Sequence, residues 1–450
     1  MPQSPKSSFS VVRSSLQWCA LLFAFATFFP AASHAQAQLV VDCTGATLGA
    51  FTSINAALPS AGPGTAIFVV AGPCHENLQL SGWTDLFIGT YYGYPNVDIN
   101  GGINVVESHG VYLHGLNVST GTSGSGDGIN VSQSQALVID NCTSSGNAGV
   151  GLRLNSASEA TVMSPASFDN NNQGGINLFG NSYLQLNAWG GQPIDISNNR
   201  GPGVWASQAS FTTFGHTTIA NNTSGNGSNS GFGVNLLGGA KGQFGAISGP
   251  NIIAGNQQGG VSLQETAEAS FFNFGSQTFI QNNGPVGVTA GFGSQVTFFN
   301  DVEVSGHSGP ALDLYANSQA YLFGATNLHN NGSSTDIRSA AIRVDGNSEA
   351  FLRGGTVSQN FGPAILALVN SSVDFTGVSF SSNTGGVISC DSSAYMVSDL
   401  VIGYNTAPGV SCRTPHSLGN RSLAKLQPAV PDWTALKALQ AKYMARATRK

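Results

Sequence analysis

The tetrapeptide Gly128-Ile129-Asn130-Val131 recurs, with variation, along most of this 450-residue chain. Each copy places a small residue before an apolar–any–apolar triplet, and successive copies begin about 26 residues apart, an interval typical of solenoid proteins. The copies begin at Gly102, Gly128, Gly151, Gly175, Gly203, Gly233, Gly260, Gly287, Ala311, Ala341, Ala364, Gly386 and Gly409. The chain is therefore built largely from copies of one structural unit.

Each unit holds two further short apolar segments that keep step with the triplet. The second reads Ala209-Ser210-Phe211 or Ala269-Ser270-Phe271 in two of the copies, and the third runs into asparagine, as at residues 219–222. All three segments alternate apolar and polar residues and are too short for helices, so we interpret them as strands. Stacking lets each strand pair with its copy in the next unit. The sequence thus predicts an all-β fold, a parallel β-helix of about thirteen coils over residues 36–412.

The asparagine that closes each third segment fits a tight turn between strands. Asparagine accepts left-handed backbone geometry more readily than most residues. Stacked side-chain amides can also hydrogen-bond to one another from coil to coil. We therefore expect a ladder of asparagines along the β-helix.

The two ends of an open β-helix expose unpaired strand edges, so we expect caps. The apolar spacing over residues 51–58 predicts a short amphipathic helix at the N-terminal end. Residues 413–450 form a basic tail with a predicted amphipathic helix that Asp432 could cap. Its apolar stripe is expected to pack on the β-helix, and a membrane surface or a partner protein is the alternative. The stripe consists of Trp433, Leu436, Leu439 and Tyr443.

Residues 1–35 have the pattern of a secretory signal peptide. Lys6 and Arg13 supply a positive start, residues 19–29 are almost wholly apolar, and Ser33-His34-Ala35 is a small–x–small cleavage site. We expect a secreted, periplasmic or cell-surface protein without a transmembrane segment. Residues 36–412 carry 6 basic and 21 acidic side chains, and this negative charge disfavours nucleic acid as a partner.

Five cysteines follow the predicted signal peptide, and export permits disulfides. Cys43 and Cys74 flank one short N-terminal unit, whereas Cys390 and Cys412 lie 22 residues apart, close to the length of one unit. We predict these two disulfides, which leaves Cys142 unpaired. The spacings do not resemble a zinc site, and no metal site is predicted.

The N-terminal part of the chain resembles the entry of the pectin-lyase-like superfamily. The resemblance rests on the segment 51–58 (Phe-Thr-Ser-Ile-Asn-Ala-Ala-Leu), on the segment 67–72 (Ile-Phe-Val-Val-Ala-Gly) and on Glu76-Asn77-Leu78. Together with the repeats, it covers roughly residues 40–412. It implies a right-handed parallel β-helix, a structural role for Glu76 and, by association, polysaccharide as the usual class of ligand.

The catalytic signatures of this superfamily are mostly missing. The chain has neither the Asp-Phe-Ile-Phe-Gly nor the Leu-Gly-Arg-Pro-Trp stretch of pectin methylesterases, and no Arg-x-Pro-x-x-Arg as in many pectate lyases. It also lacks the Asp-Asp pair of polygalacturonases and the Asp-Pro-His-Asp of alginate epimerases. Its nearest approach to the Gly-His-Gly of polygalacturonases is Ser108-His109-Gly110. The resemblance therefore specifies a fold and no activity.

The middle residue of each triplet is expected to point outward, because side chains alternate along a strand. In the first half of the chain these positions are rich in amides and include one tryptophan. Amides and an aromatic face suit sugars, which offer hydroxyls and apolar C–H faces. A solvated sheet face is the alternative. The predicted polysaccharide-binding residues are Asn104, Asn130, Asn177, Trp205 and Asn235.

Two groups of charged residues are candidates for catalysis. Asp313 and Arg343 occupy equivalent positions in successive coils, with Asp345 close by, and Asp127 and Arg153 belong to a second group in earlier coils. Such groups can serve metal binding, charge neutralisation or proton transfer. Surface ion pairs and scattered loop residues are the alternatives. The other members are Arg338, Glu349 and Arg353 in the first group and Glu107, His109, His114 and Asp140 in the second.

Two functions remain open from the sequence. The first is an exported, non-catalytic β-helix that binds carbohydrate or serves as a surface or structural rod, which the missing catalytic signatures favour. The second is a lyase, hydrolase or esterase that acts on uronate-containing polysaccharide. No cofactor is predicted, although a lyase could use calcium. Polysaccharide is the expected partner in both cases, and the oligomeric state is left open.

Overall fold

The computed structural model describes residues 37–121, 126–188, 191–225, 231–333, 339–391 and 393–398. Over these ranges the chain is almost entirely β-structure, and within each coil it passes through three sheets in a fixed order. Strands pair in parallel with their equivalents in the neighbouring coils, as Arg153 does with Asn130 and Asn177. The prediction of a parallel β-helix of about thirteen coils is confirmed.

Sheet 1 is formed by the triplets. The copies of the repeat from Gly102 to Gly386 all contribute to its strands, and the copy at Gly409 lies outside the described residues. The repeat pattern misses one further strand, Leu78–Ser81, because Asn77 stands there in place of a small residue. The thirteen strands of sheet 1 are Leu78–Ser81, Ile103–Val106, Ile129–Ser132, Val150–Asn155, Gly174–Phe179, Val204–Ser207, Phe232–Leu237, Gly259–Gln264, Val288–Ala290, Leu312–Leu314, Ile342–Val344, Ile365–Ala367 and Ile388–Cys390.

Sheet 2 is formed by the second segments and carries the largest side chains of the core. Phe211, Phe244, Phe271 and Phe298 are fully buried in consecutive coils, with successive ring centroids 5.2, 4.5 and 5.1 Å apart. Burial of each such ring contributes about 1.5–3 kcal/mol, so this column stabilises the stacking of coils. The fifteen strands of sheet 2 are Gln38–Asp42, Ala66–Ala71, Phe87–Gly89, Tyr112–His114, Leu137–Asp140, Glu159–Met163, Tyr183–Asn187, Ser210–Phe214, Lys241–Ala246, Glu268–Asn273, Gln295–Phe299, Gln319–Phe323, Glu349–Arg353, Ser372–Thr376 and Tyr395–Ser398.

Sheet 3 leads into the predicted ladder of asparagines. Asn171 donates from Nδ2 to Oδ1 of Asn199 at 3.0 Å, and Asn199 donates in the same way to Asn222 at 3.0 Å. The residue before the stacked asparagine takes the left-handed backbone, since Asn198 has a φ of 58°. Two adjacent residues therefore share the two predicted roles: the first takes the left-handed backbone, and the second forms the amide-to-amide hydrogen bonds. The twelve strands of sheet 3 are Val97–Asn100, Leu116–Ser119, Thr143–Ser144, Ala166–Ser167, Ile194–Asp195, Thr217–Ala220, Asn251–Ala254, Thr278–Gln281, Val302–Ser305, Asn327–His329, Thr356–Ser358 and Ser379–Ser381.

A short cap lies at the N-terminal end of the described residues. Helix α1 (Ile54–Ala57) is followed by a 3-10 turn (Leu58–Ser60), so the helix predicted over residues 51–58 is shorter than expected. Phe51 is not helical because it forms a parallel β-bridge to an earlier strand. The Glu76 carboxylate accepts hydrogen bonds from the amides of Ile54 (2.7 Å) and Asn55 (2.9 Å). Glu76 thus has a structural role at the start of the helix.

The structure contains the predicted disulfide between Cys43 and Cys74, and Cys142 is buried and unpaired. Cys390 is disulfide-bonded, while its predicted partner Cys412 lies outside the described residues. The predicted signal peptide over residues 1–35 and the predicted helix of the tail over residues 413–450 also lie outside them. Among the described helices, none has the length and apolar character needed to cross a membrane.

Candidate functional site

The outward residues of sheet 1 form a continuous row, which we call the ladder strip. The pairing register sets the middle residue of each triplet beside its equivalents in the next coils, as predicted. In the last described coil, the repeat spacing predicts Ile388 as the outward residue. The strand pairing shows that it is Ser389 instead, because Ser389 is the residue that pairs with Leu366. The ladder strip consists of Gln79, Asn104, Asn130, Arg153, Asn177, Trp205, Asn235, Ser262, Thr289, Asp313, Arg343, Leu366 and Ser389.

The first residues of the ladder strip form a chain of bonded amides. Asn130 donates from Nδ2 to Oδ1 of Asn104 at 3.1 Å, and Asn155, next to the strip, donates to Oδ1 of Asn130 at 3.1 Å. Asn104 and Asn130 are each partly exposed. These predicted sugar-binding residues therefore present a pre-ordered amide surface at this end of the strip.

Arg153 is held in place by two contacts. Its Nε and Nη2 donate to the two carboxylate oxygens of Asp127 at 2.6 and 3.1 Å, the two-point geometry typical of strong arginine–carboxylate pairs. Its guanidinium lies 6.0 Å from the ring centroid of Phe179, which in turn contacts Trp205 edge to face at 5.4 Å. Two members of the second predicted group, Asp127 and Arg153, thus form an ion pair, and the guanidinium lies beside the ring of Phe179.

The centre of the ladder strip holds polar atoms without partners. Asn177, Asn235 and Ser262 are only 4%, 1% and 0% exposed, whereas the alternation of the strands led us to expect solvent-facing side chains. Asn177 Oδ1, Trp205 Nε1, both amide atoms of Asn235 and Ser262 Oγ make no hydrogen bond. Leaving such an atom buried and unpaired costs about 1–3 kcal/mol, and native proteins seldom do so repeatedly. This stretch of the strip is therefore unusual for a sheet surface.

Glycines beside the strip leave room for aromatic rings. A Cβ at Gly259 would lie 2.5 Å from Cε1 of Phe232, and a Cβ at Gly291 would lie 2.3 Å from Cζ of Tyr315. Both rings remain partly exposed at the surface. Phe232 and Tyr315, with Phe179, were missed from the sequence because they stand outside the repeated triplet.

The far end of the ladder strip carries the predicted Asp313 group. Arg343 contacts the Asp313 carboxylate at 3.5 Å and donates to Asp345 at 3.0 Å. Burial raises the pKa of Asp313, against the opposing effect of the Arg343 charge. Asp313 Oδ1 and Arg343 Nε have no hydrogen-bond partner. The three residues form a compact cluster with one net negative charge when both carboxylates are ionised.

Other predicted members of the charged groups lie elsewhere. Glu349 and Arg353 belong to sheet 2, where Arg353 forms two hydrogen bonds with Asp374 at 2.9 and 2.6 Å and Gln319 donates to Glu349 at 3.3 Å. Arg338 lies outside the described residues. Among the described members of the first group, only Asp313, Arg343 and Asp345 come together.

The second predicted group divides between two sheets. Arg153 belongs to the ladder strip and binds Asp127, which precedes strand Ile129–Ser132. His114 and Asp140 lie on adjacent strands of sheet 2, with His114 Nδ1 3.0 Å from Asp140 Oδ2. Tyr112 also donates to Asp140, at 2.8 Å, and burial is the main cause that raises the pKa of Tyr112 far above its ordinary value. Glu107 and His109 lie in the turns between sheets 1 and 2, so the six residues do not form one site.

One set of potential metal ligands occurs in the described part of the chain. Cys43, Cys74 and Glu76 bring ligand atoms within 4.8 Å of one another. The two sulfurs are joined in a disulfide, and a disulfide lacks the thiolates that bind metal ions. Glu76 is also committed to helix α1. We therefore assign this group a structural role.

The fold and the ladder strip together define a parallel β-helix protein with a lateral polar and aromatic strip. No family model matches the chain, and no curated protein matches it. Among solved structures, it is similar to the A-module of a mannuronan C-5 epimerase from Azotobacter vinelandii, with 11% identity, a TM-score of 0.43 and coverage of 76% of this chain and 93% of that chain.

The chain is also similar to the receptor-binding protein of bacteriophage Det7, described as a podoviral tailspike in a myovirus. The identity is 9% and the TM-score 0.43, with 80% of this chain and 75% of that chain covered. A lacto-N-biosidase from Eubacterium ramulus shows 8% identity and a TM-score of 0.25, with 80% and 67% covered. At these values the similarities assign no activity to this chain.

Proposed function

We propose that this protein is an exported, non-catalytic β-helix that binds a neutral polysaccharide along the ladder strip. The observation that carries the proposal is the run of unpaired polar atoms at Asn177, Trp205, Asn235 and Ser262. A chain of sugar hydroxyls can both donate to and accept from such atoms. The neighbouring rings of Phe179, Trp205 and Phe232 offer stacking faces for the apolar side of a sugar.

The spacing of the strip suits a polymer that lies along the axis of the β-helix. Equivalent strands in adjacent coils are about 4.8 Å apart, so each coil offers one polar side chain to the ligand at a regular interval. Asn104 and Asn130 extend this repeat toward the N-terminal end as an ordered amide surface. Because Asn235 and Ser262 are buried, a ligand reaches them only after the side chains that cover them move.

The charges of the strip favour a neutral ligand over a uronate polymer. Arg153 is paired with Asp127, and Arg343 contacts both Asp313 and Asp345, so neither cation of the strip is free to bind a sugar carboxylate. An anionic polymer would have to compete with these partly buried carboxylates for the two arginines, which disfavours its binding.

Export is supported by two independent features. Residues 1–35 have the composition and cleavage pattern of a signal peptide. The Cys43–Cys74 disulfide is of a kind that forms and persists in oxidising compartments outside the cytoplasm. Together they support action outside the cytoplasm, where polysaccharides are accessible.

A polysaccharide-active enzyme is the second candidate, and Asp313 is the observation that favours it. Its partly buried carboxyl has a raised pKa and an oxygen without a partner, which are properties of a general acid. Asp345 and Arg343 would then supply a second carboxylate and a nearby positive charge. Such an enzyme would lose turnover on Asp313→Asn substitution while it kept its affinity for the polymer.

The test is a screen of the purified mature protein against neutral and uronate polysaccharides, with and without calcium. Bound protein, new reducing ends and unsaturated-product absorbance are followed together. We expect binding of a neutral polymer without turnover, and binding about tenfold weaker in Asn235→Leu, which removes two unpaired atoms at similar volume. Gln243→Ala, an exposed position on sheet 2, is the matched control and should bind as wild type.

Three outcomes would contradict the proposal in different ways. Turnover that Asp313→Asn abolishes would favour the enzyme. Preference for uronate polymers would refute the argument from paired cations. Equal binding by wild type and Asn235→Leu would show that the ladder strip is not the site.

A further inference from the structure

Sheet 2 carries a row of aromatic side chains on its outer face, in the second half of the described β-helix. Strand pairing places Phe299 beside Phe323 and Tyr321 beside Phe351, and Tyr321 and Phe323 point outward from the same strand. Phe272 extends the row by one coil, because it pairs with Phe299. All five side chains are partly exposed. We call these five residues the ring row.

The geometry of the ring row restricts what can bind to it. The rings of Phe299 and Phe323 stack with centroids 5.5 Å apart and planes 15° from parallel, and those of Tyr321 and Phe351 stack at 5.1 Å and 7°. Stacked neighbours cover one another's faces, so the row presents mainly ring edges to the outside. A sugar stacks on an open ring face and therefore fits this surface poorly, whereas the apolar side chains of a protein segment can pack against ring edges.

The charge around the ring row favours a basic partner. Glu349 lies on the same face of its strand as Phe351, and it forms no ion pair within the described residues. Residues 260–398, which contain the row, carry 10 acidic and 3 basic side chains. A second copy of this chain would bring an equally acidic surface to the contact, and like charges disfavour such an association.

The basic tail has the complementary composition and length. Residues 413–450 carry 8 basic and 1 acidic side chains, and the predicted helix has an apolar stripe from Trp433 to Tyr443. At 1.5 Å per residue this stripe is about 15 Å long. The ring row crosses four adjacent coils from Phe272 to Phe351, which is about 14 Å at the usual spacing of parallel strands. The two apolar stripes therefore match in length.

The described part of the chain ends close to the ring row. Ser398 is its last residue and closes the last strand of sheet 2, two coils or about 10 Å beyond the strand of Phe351. Residues 399–432 lead from this strand to the predicted helix, and a connection of that length can span a much larger distance. The covalent link also raises the effective concentration of the tail at its own β-helix to about the millimolar range.

We propose that the basic tail docks its apolar stripe on the ring row, with its lysines and arginines beside the acidic side chains around the row. The contact covers an apolar surface that would otherwise favour association between molecules. It lies on sheet 2 and leaves sheet 1 open, so the docked tail and the ladder strip are independent sites.

The test is zero-length carbodiimide cross-linking of the full mature chain, with the linked residues identified by mass spectrometry. Lys241 and Glu268, whose charged atoms are 2.9 Å apart, supply the positive control within the β-helix. We expect a cross-link between Glu349 and one of the tail lysines Lys437 and Lys442. A mixture of isotopically light and heavy protein separates links within one chain from links between two chains.

Two variants each remove one side of the contact. Phe323→Ala shortens the ring row, and Trp433→Ala/Leu436→Ala shortens the stripe without changing any described residue. Each should lower the yield of the tail cross-link about fivefold or more, because less apolar surface is buried on docking, while the positive-control link stays unchanged. Phe292→Ala is the matched control and should cross-link as wild type, because Phe292 is a 57% exposed ring in the turn after a strand of sheet 1.

Several outcomes would overturn the proposal. Tail links to Asp391 in place of Glu349 would place the helix beyond the last described strand of sheet 1. Links only between light and heavy chains would assign the ring row to a second copy. A tail link equally abundant in wild type and in both variants would show charge attraction without docking. The absence of any tail link, beside an intact positive control, would leave the stripe free for another surface, which co-sedimentation with phosphatidylglycerol vesicles would then identify as a membrane.

Discussion

At the scale of single residues, His307 is the clearest irregularity in the coil interior. It takes the place of an asparagine in the ladder, with Nε2 3.0 Å from the Ile280 carbonyl and Nδ1 3.2 Å from the Asn283 carbonyl. Burial lowers the pKa of His307, so the ring is neutral at neutral pH and carries one N–H. Only one of the two carbonyls can then receive a hydrogen bond, and the chain of amide-to-amide bonds is interrupted at this coil.

We expect His307→Asn to join the two parts of the asparagine ladder. The new amide would bond to Asn331 Oδ1 and offer its own oxygen to Asn283, as the other asparagines of the ladder do. One added net hydrogen bond is worth about 1 kcal/mol, which raises Tm by about 1–3 °C in a chain of this size. Thermal unfolding of the two proteins at pH 7 measures the difference. A lower Tm would show that loss of the ring volume outweighs the added bond.

The same residue predicts a pH dependence of stability. The folded-state pKa of His307 lies below its ordinary value of 6.5, so the unfolded chain binds a proton more readily than the folded one. Stability contributed by His307 is therefore present above pH 6.5 and is lost as the pH falls from 6.5 toward the folded-state pKa. Unfolding in denaturant at pH 7.0 and 5.5 should show a smaller loss for His307→Asn than for wild type. Equal losses would mean that other groups determine the acid sensitivity.

At the scale of elements, two side chains hold the start of helix α1, the Glu76 carboxylate and the Ser53 hydroxyl, which accepts from the amide of Ala56 at 3.0 Å. Glu76 accepts bonds from the amides of Ile54 and Asn55 at the positive end of the helix. We expect Glu76→Gln to lower the free energy of unfolding by about 1 kcal/mol and to increase hydrogen exchange over residues 54–60. Glu265→Gln, in a turn beside the ladder strip, removes the same charge and is the control. Unchanged exchange in Glu76→Gln would show that the Ser53 cap and packing are enough to hold the helix.

The elements also show what the sequence can and cannot predict. The strands of sheet 1 are predictable because the pattern of a small residue and two inward apolar residues recurs. Strand Leu78–Ser81 is not predicted, because Asn77 stands where the pattern requires a small residue. The order of the ladder strip follows from the same spacing. The burial of Asn235 does not follow, because strand alternation predicts only that the side chain points outward, and what covers an outward side chain depends on packing between coils.

At the scale of the whole molecule, each coil contacts mainly its two neighbours, so stability is a sum of local contributions along the axis. The Phe column and the asparagine ladder supply these contacts in the central coils. Among the described residues, the first coil has only one neighbouring coil. Its strand Gln38–Asp42 pairs fully with Ala66–Ala71 and otherwise forms only a single β-bridge to Phe51. A cross-link at the N-terminal end therefore contributes more to the stability of its own coil than the same cross-link would in a central coil.

The Cys43–Cys74 disulfide is the strongest of these terminal constraints, and its removal should loosen the first coil selectively. It closes a loop with a sequence separation of 31, for which the chain-entropy estimate is about 3–4 kcal/mol. In Cys43→Ala/Cys74→Ala we expect faster hydrogen exchange in strands Gln38–Asp42 and Ala66–Ala71, with little change in the central coils.

The double variant is preferable to a reductant, because Cys390 is also disulfide-bonded. Cys142→Ala, which removes a buried free thiol, is the control for cysteine loss itself. Exchange that rises equally in all coils would refute the additive description, because it would mean that the β-helix unfolds as one cooperative unit.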